Sequence, residues 1–228
     1  MRNGLNNKKT KVRVWDLPTR FFHWSLLALV AIAWISAEAD GVLFNIHIFS
    51  GISILALIVF RIFWGIFGST HSRFLSFIRP WAEVRAYGQQ MLSRERPRHL
   101  GHNPIGGWMV MALLAILSAT VLTGLLASDD DNIGPLAVHV SRSLSHAMEN
   151  IHEGLTGLLA TLIGVHVMGV LMHGLIDGEN LPRAMWTGDK FVDPGVLEAA
   201  HSGIRQAPAW RVFLAASLSI VVVWGTLL

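Results

Sequence analysis

The chain has 228 residues, 52% of them hydrophobic and only 14% charged, with a formal net charge of +3. Soluble domains carry about a quarter charged residues, so the composition argues against a water-soluble fold. There is no cysteine, which excludes disulfides, iron–sulfur clusters, thiolate zinc sites and covalently attached haem. Any metal or cofactor must therefore rely on histidine, carboxylate or methionine, and eleven histidines are present.

The predicted elements alternate apolar runs with charged connections. A basic segment, residues 1–20, carries Arg2, Lys8, Lys9, Lys11, Arg13 and Arg20. The first apolar run, Phe21–Ala37, holds His23, Trp24 and Trp34 and ends without a small-x-small cleavage site, so it reads as a span rather than a signal peptide. The connection Glu38–Leu43 has two acids and no base, and leads into the second run, Phe44–Phe67. Next, Gly68–Pro104 carries Arg73, Arg79, Arg85, Arg94, Arg96 and Arg98, with an amphipathic helix expected around Trp81–Ser93, suited to a membrane surface. The third run is Ile105–Ala127. Ser128–Asn150 follows, with Asp129, Asp130, Asp131 and Glu149 against Arg142. The fourth run is Ile151–Ile176, then Asp177–Ala209 with Arg183, Lys190 and Arg205, and last Trp210–Leu228.

Each run approaches or exceeds the roughly 20 residues that cross a bilayer as helix. The expected fold is an all-α integral membrane bundle: a four-helix core over 21–190, with 191–228 forming a linker and a fifth spanning helix. Basic and non-basic connections alternate. The positive-inside rule then puts the N-terminus in the cytoplasm and the C-terminus outside. The isoelectric point near 9.8 is read as this membrane bias, and no nucleic-acid partner is expected.

Ionisable residues at membrane depth mark function by default. His23, His47, His152, His166 and His173 lie in or at the ends of spans. His152 and His166 are fourteen residues apart, nearly four whole turns, so they share a face and stand about 21 Å apart along the axis. His47, four residues into the second span, matches His152 in depth. His23, opening the first span, pairs with His166, although it sits nearer the membrane edge. His173 lies at a depth like that of His23; in place of His166 it would set the two levels about 31 Å apart, the whole hydrocarbon thickness, so His166 is preferred. That leaves His173 a propionate, quinone or proton-path residue, or a helix-end histidine.

Two levels of paired histidines suit two bis-histidine haems better than a tetrahedral zinc site. Gly51, one turn after His47, and Gly154 would let a flat macrocycle approach, although glycine is common in membrane helix packing. Arg61 shares the face of His47 at the depth of the inner pair; it either meets an anion such as a haem propionate or reaches the headgroups. His71, His99, His102 and His201 are expected to be solvated, as are His139 and His146 on the outer side.

The chain resembles the bacterial cytochrome b561-like superfamily, and within it the b-type cytochrome subunits of membrane-bound nickel–iron hydrogenases. The resemblance rests on Val14-Trp15-Asp16-Leu17-Pro18-Thr19-Arg20-Phe21-Phe22-His23-Trp24, on His47 with Gly51, on Arg61-Ile62-Phe63-Trp64-Gly65-Ile66-Phe67-Gly68, on His152-Glu153 with His166, and on Glu179 to Gly188. It implies a diheme cytochrome b with His23 and His166 on the inner haem and His47 and His152 on the outer. It further implies electron relay between an outer-face partner (a hydrogenase-like subunit or a c-type cytochrome) and the quinone pool. The alternatives are a self-contained quinone reductase or superoxide-oxidising cytochrome, and a haem-free transporter or membrane anchor. His173 and the fifth run depart from the family pattern.

Overall fold

A computed structural model describes residues 10–38, 41–93, 99–129, 132–192 and 205–227. His201, Asp130, Asp131, Arg94, Arg96, Arg98 and the bases of residues 1–9 lie outside these. In chain order come strand β1 (Thr10–Arg13), helices α1 (Leu17–Ser36) and α2 (Val42–Phe67), a 3-10 turn at Thr70–Ser72, α3 (Phe74–Phe77), α4 (Trp81–Leu92) and α5 (Pro104–Leu126). A second 3-10 turn at Ala137–His139, α6 (Arg142–Asp177), α7 (Leu181–Thr187), strand β2 (Asp189–Val192) and the C-terminal α8 (Ala209–Leu227) complete it.

Five helices, α1, α2, α5, α6 and α8, are long and apolar enough to cross a membrane, and they match the five expected runs. The amphipathic helix is α4, with Val84 and Tyr87 turned inward and Trp81 exposed. One expectation was short: α6 starts at Arg142, nine residues before the apolar run, because Ser141 caps it by accepting from the Leu144 N–H. Its 36 residues make it about 54 Å long, well beyond a hydrocarbon core of about 30 Å.

The bundle consists of two antiparallel hairpins, α1 with α2 and α5 with α6, which meet through α2 and α5; α1 and α6 barely touch. Ile54, Leu55 and Ile58 of α2 interlock with Leu117, Val121 and Leu125 of α5, and Leu159 of α6 and Val223 of α8 close this core. The added helix α8 lies on α2 with Ala215, Ser219 and Val223 buried, a spacing of four that keeps small or branched residues on one face. Arg211 fastens its start by donating to the Phe67 carbonyl at 3.0 Å.

The face where α1 begins carries the basic connections, and the face where it ends carries the acidic ones. The basic face is closed by a two-stranded antiparallel clasp in which Thr10 faces Val192 and Arg13 faces Asp189. Lys11 and Arg13 both reach the Asp189 carboxylate, at 3.0 and 2.7 Å. Gly188 makes the join. Its φ of +87° is a left-handed conformation, a Cβ there would lie 2.7 Å from the Trp15 carbonyl, and its own carbonyl accepts from the N–H groups of both Val14 and Trp15. Residues 10–20 are therefore part of the fold rather than a separate basic tail.

Asp16 organises the same face. Its carboxylate is 4% exposed, caps α1 by accepting from the Thr19 N–H, and accepts from Trp64 Nε1 at 3.0 Å and Ser72 Oγ at 2.8 Å. One side chain thus ties the start of α1 to the end of α2 and to the turn at Ser72.

Candidate functional site

Near the acidic face, His47 of α2 and His152 of α6 meet from opposite hairpins. Their ring centroids are 6.2 Å apart and the rings are nearly perpendicular, at 84°. Each Nδ1 lies against a carbonyl of the neighbouring helix in its own hairpin: His47 against Ala33 at 2.8 Å, His152 against Thr120 at 2.7 Å. A carbonyl only accepts, so each Nδ1 must carry the proton and each Nε2 is left with a lone pair. This is the arrangement of metal-ligating histidines, whose second nitrogen is held by a carbonyl or carboxylate. Metal–imidazole bonds are about 2 Å long, so two rings sharing one ion stand with centroids roughly 6 Å apart.

Both carbonyls are available for a structural reason. Ala33 lies in the last turn of α1, where carbonyls lack backbone partners, and it accepts from the Ser36 hydroxyl, at 3.3 Å, besides His47. Thr120 lies inside α5, but the residue one turn on is Gly124. A Cβ at Gly124 would come within 2.7 Å of His152 Cε1, so the glycine gives the ring its seat beside the Thr120 carbonyl. Phe44 stacks on His47 at 5.6 Å. A Cβ on Gly51 or on Gly154 would meet nothing within 4 Å, so both helices have bare backbone on that side.

Toward the basic face, His23 of α1 and His166 of α6 lie within electrostatic range of each other. His23 Nδ1 is buried with no hydrogen-bond partner. Arg61 is 3% exposed, donates to the Ser72 carbonyl at 3.0 Å and lies over the Phe74 ring at 4.8 Å. It does not reach for headgroups; the Asp16–Ser72 network holds it inside. Between the two levels the rise of α6 sets a separation of about 21 Å.

His173 belongs to neither pair. Its Nδ1 donates to the Gly169 carbonyl at 2.9 Å and its Nε2 accepts from Asn103 Nδ2 at 3.0 Å. Asn103 is itself oriented by capping α5, its Oδ1 accepting from the Gly106 N–H. Both His173 nitrogens are engaged, Nδ1 within α6 and Nε2 in tying α6 to the start of α5.

The expectation of solvated loop histidines is corrected for three of them. His71 Nε2, His99 Nε2 and His102 Nδ1 are buried and unpartnered. The loops fold back over the bundle instead of standing in water. His102 is wedged against Trp15 at 4.8 Å and Phe77 at 4.6 Å. Burial, reinforced by the positive charges of Arg61 and Lys190, pushes its pKa down to about 3. Burial also lowers His71 and His99, with Lys190 adding to both and Arg79 to His99. On the acidic face His139 is exposed as expected, and His146 accepts from Arg142 at 3.2 Å.

The family model of prokaryotic cytochrome b561 matches residues 14–188. The chain belongs to the prokaryotic cytochrome b561 family. No curated protein and no solved structure matches it. A cytochrome b561 is a multi-pass membrane b-type cytochrome that binds haem b and works in electron transfer. The matched span begins just after β1, takes in the four helices of both hairpins and the clasp glycine, and stops before β2 and α8.

The residues fit such a group. The donors are imidazoles alone, as haem b without cysteine requires, and the His47 and His152 rings stand at a centroid separation that suits two ligands of one ion. Among the described residues no cluster of three or more histidines and carboxylates could hold a bare metal ion. Sequence reasoning missed Ala33, Thr120 and Gly124. A carbonyl has no sequence signature, so the first two were out of reach. Gly124 was findable: it is a glycine near the end of a span that must pass a histidine of the neighbouring helix.

Proposed function

We propose that this cytochrome b561 is a two-haem electron-transfer subunit. His47 and His152 hold one haem near the periplasmic face, His23 and His166 hold the other toward the cytoplasm, and electrons pass between a periplasmic redox partner and the quinone pool. The observation that carries the reading is the outer pair: two imidazoles from different hairpins, 6.2 Å apart, each with Nδ1 pinned to a carbonyl. Haem iron held by two such rings supplies one-electron transfer and has no open position for oxygen or bond chemistry.

The chain's own part is to hold the rings, exclude water and keep charge off the pathway. The outer rings are aimed by helix backbone, so they need no reorganisation when charge moves. At the other level Arg61 supplies a positive charge inside the membrane, which favours an added electron nearby. Beside His23 an apolar groove of about 220 Å³, lined by Leu17, Arg20, Phe21, Trp24 and Trp186, opens sideways from the bundle. It offers flat aromatic walls and a guanidinium donor, features that suit a quinone head entering from lipid. Basic connections on this face support a cytoplasmic orientation.

The test is the haem-to-protein ratio, with reduced-minus-oxidised spectra, of the purified wild type and of single alanine variants at the four histidines. Two haems in the wild type and loss of one per variant are expected. A wild type with no haem, or with one that survives at all four positions, overturns the reading. Quinone turnover by the isolated chain, with no partner, would convert the subunit into a self-contained enzyme.

A further inference from the structure

Above the inner pair lies a polar cap that the ligand geometry does not use. It is built from the turn at Thr70–Ser72, the loop before α5, and β2. His71 and His102 come from two segments, and each ends in a buried nitrogen with no partner. They are neighbours: a Cβ on Gly101 would lie 3.1 Å from His71 Nδ1, so the loop carrying His102 runs against the His71 ring. His102 is within electrostatic range of His71, Arg61, Lys190 and His166. Arg61 is held to the carbonyl of Ser72, next in sequence to His71.

The nearby charges are already distributed. Lys190 is satisfied by Glu179 at 3.1 Å and the His99 carbonyl at 3.2 Å. Asp16 accepts from Thr19, Trp64 and Ser72. Neither carboxylate is bonded to the orphan imidazole nitrogens. A buried donor without an acceptor costs about 1–3 kcal/mol, and buried polar groups in folded proteins are almost always paired. Two imidazoles beside a membrane-depth guanidinium therefore call for an acceptor. In the tautomer that puts the proton on each orphan nitrogen, the acceptor that matches two N–H donors and a guanidinium is a carboxylate.

We propose that His71 and His102, with Arg61, receive the carboxylates of the haem held between His23 and His166. This rests on the two-haem reading above and adds positioning residues to it. The cap sits at the end of the bundle nearest His23 and His166, and His102 is the one cap residue that feels His166 directly. Hydrogen bonds to the carboxylates partly neutralise them, which favours the reduced haem.

The experiment is redox titration of both haems, followed optically, in the wild type and in His71→Phe and His102→Phe. Phenylalanine keeps the ring packing against Trp15 and Phe77 while removing the donor. The inner couple should shift to lower potential with both haems retained and the outer couple unmoved. His71→Gln and His102→Gln, which keep an N–H, should restore most of the shift. Reconstitution with haem dimethyl ester should abolish the difference between wild type and phenylalanine variants.

Two retained haems with an unmoved inner couple overturn the proposal. A shift that persists with the ester overturns it too, since the carboxylate then comes from a free anion in solution. If a phenylalanine variant fails to fold, the comparison of wild type loaded with haem against wild type loaded with ester decides: equal inner potentials overturn the proposal. A wild type without haem defeats the two-haem reading itself, which separates the two failures.

Discussion

The two levels of the bundle are held by different means. At the acidic face, each histidine is aimed by a backbone carbonyl of its own hairpin, Ala33 for His47 and Thr120 for His152. At the basic face no such carbonyl holds His23, whose Nδ1 is left without a partner. There the surroundings are side chains: Arg61 of α2, with Asp16, Ser72, His71 and His102 from the turns and loops. Backbone acceptors inside a helix cannot be retuned by substitution, whereas a cap of side chains can. The acidic-face level is built for fixed geometry, and the basic-face level for adjustable electrostatics.

The largest effects should come from the ligands. His47→Ala or His152→Ala should remove one haem per chain, and the remaining spectrum should be that of the inner site, measured by pyridine haemochrome and low-temperature difference spectra. If either variant empties both levels, the sites are not independent and the comparison fails. Asp16→Ala comes next, and should disturb only the basic face. It loses a helix cap worth about 1 kcal/mol and strands Trp64 Nε1 at about 1–3 kcal/mol, whereas Ser72 Oγ keeps Thr19 Oγ1 as a partner at 2.8 Å. Thermal stability in detergent should fall and the inner couple shift, with the outer couple unchanged.

Gly124→Val tests the opposite level. The added carbons meet the His152 ring, and overpacking of this kind costs about 1–3 kcal/mol. Outer-haem occupancy should drop while inner-haem occupancy holds, read from the same spectra. A fully loaded Gly124→Val variant would show that the seat beside Thr120 is not required.

A smaller effect should appear with pH in haem-free protein. His102 is held neutral, with a folded pKa of about 3 against an unfolded value of about 6.5. The unfolded chain therefore takes up a proton that the folded chain refuses. This contribution to stability is complete above pH of about 6.5 and is lost as pH falls toward about 3. Melting temperature in detergent should fall over that window, and less steeply in His102→Phe. Parallel curves for the two proteins would remove His102 from the account. The smallest change belongs to His173→Ala: both haems kept, with loss of a hydrogen-bonded clip worth about 0.5–1.5 kcal/mol.

Much of this was legible from residue spacing. Length and apolarity located all five spanning helices, since a bilayer admits few other solutions. The fourteen-residue interval between His152 and His166 needed only the helical rise to place two levels. The choice of His166 over His173 rests on helical rise, and the contact of His173 Nε2 with Asn103, seventy residues away, has no signal in the sequence. What could not be read was the return of the loops. His71 and His102 sit in basic, polar stretches that look solvated, and only the docking of those stretches onto Trp15 and Phe77 buries them. The pairing of Thr10–Arg13 with Asp189–Val192 was equally hidden, because four-residue strands leave no periodic signal beside twenty-residue helices.

That clasp has a consequence for biogenesis. Strand β1 is made before any of the five spanning helices, but its partner is not synthesised until after the fourth. The basic face must therefore stay unlatched while both hairpins insert into the bilayer. Only then can the two flanks of the family domain zip together, with α8 still to follow, and any prosthetic group loaded before that moment is shut in behind β2.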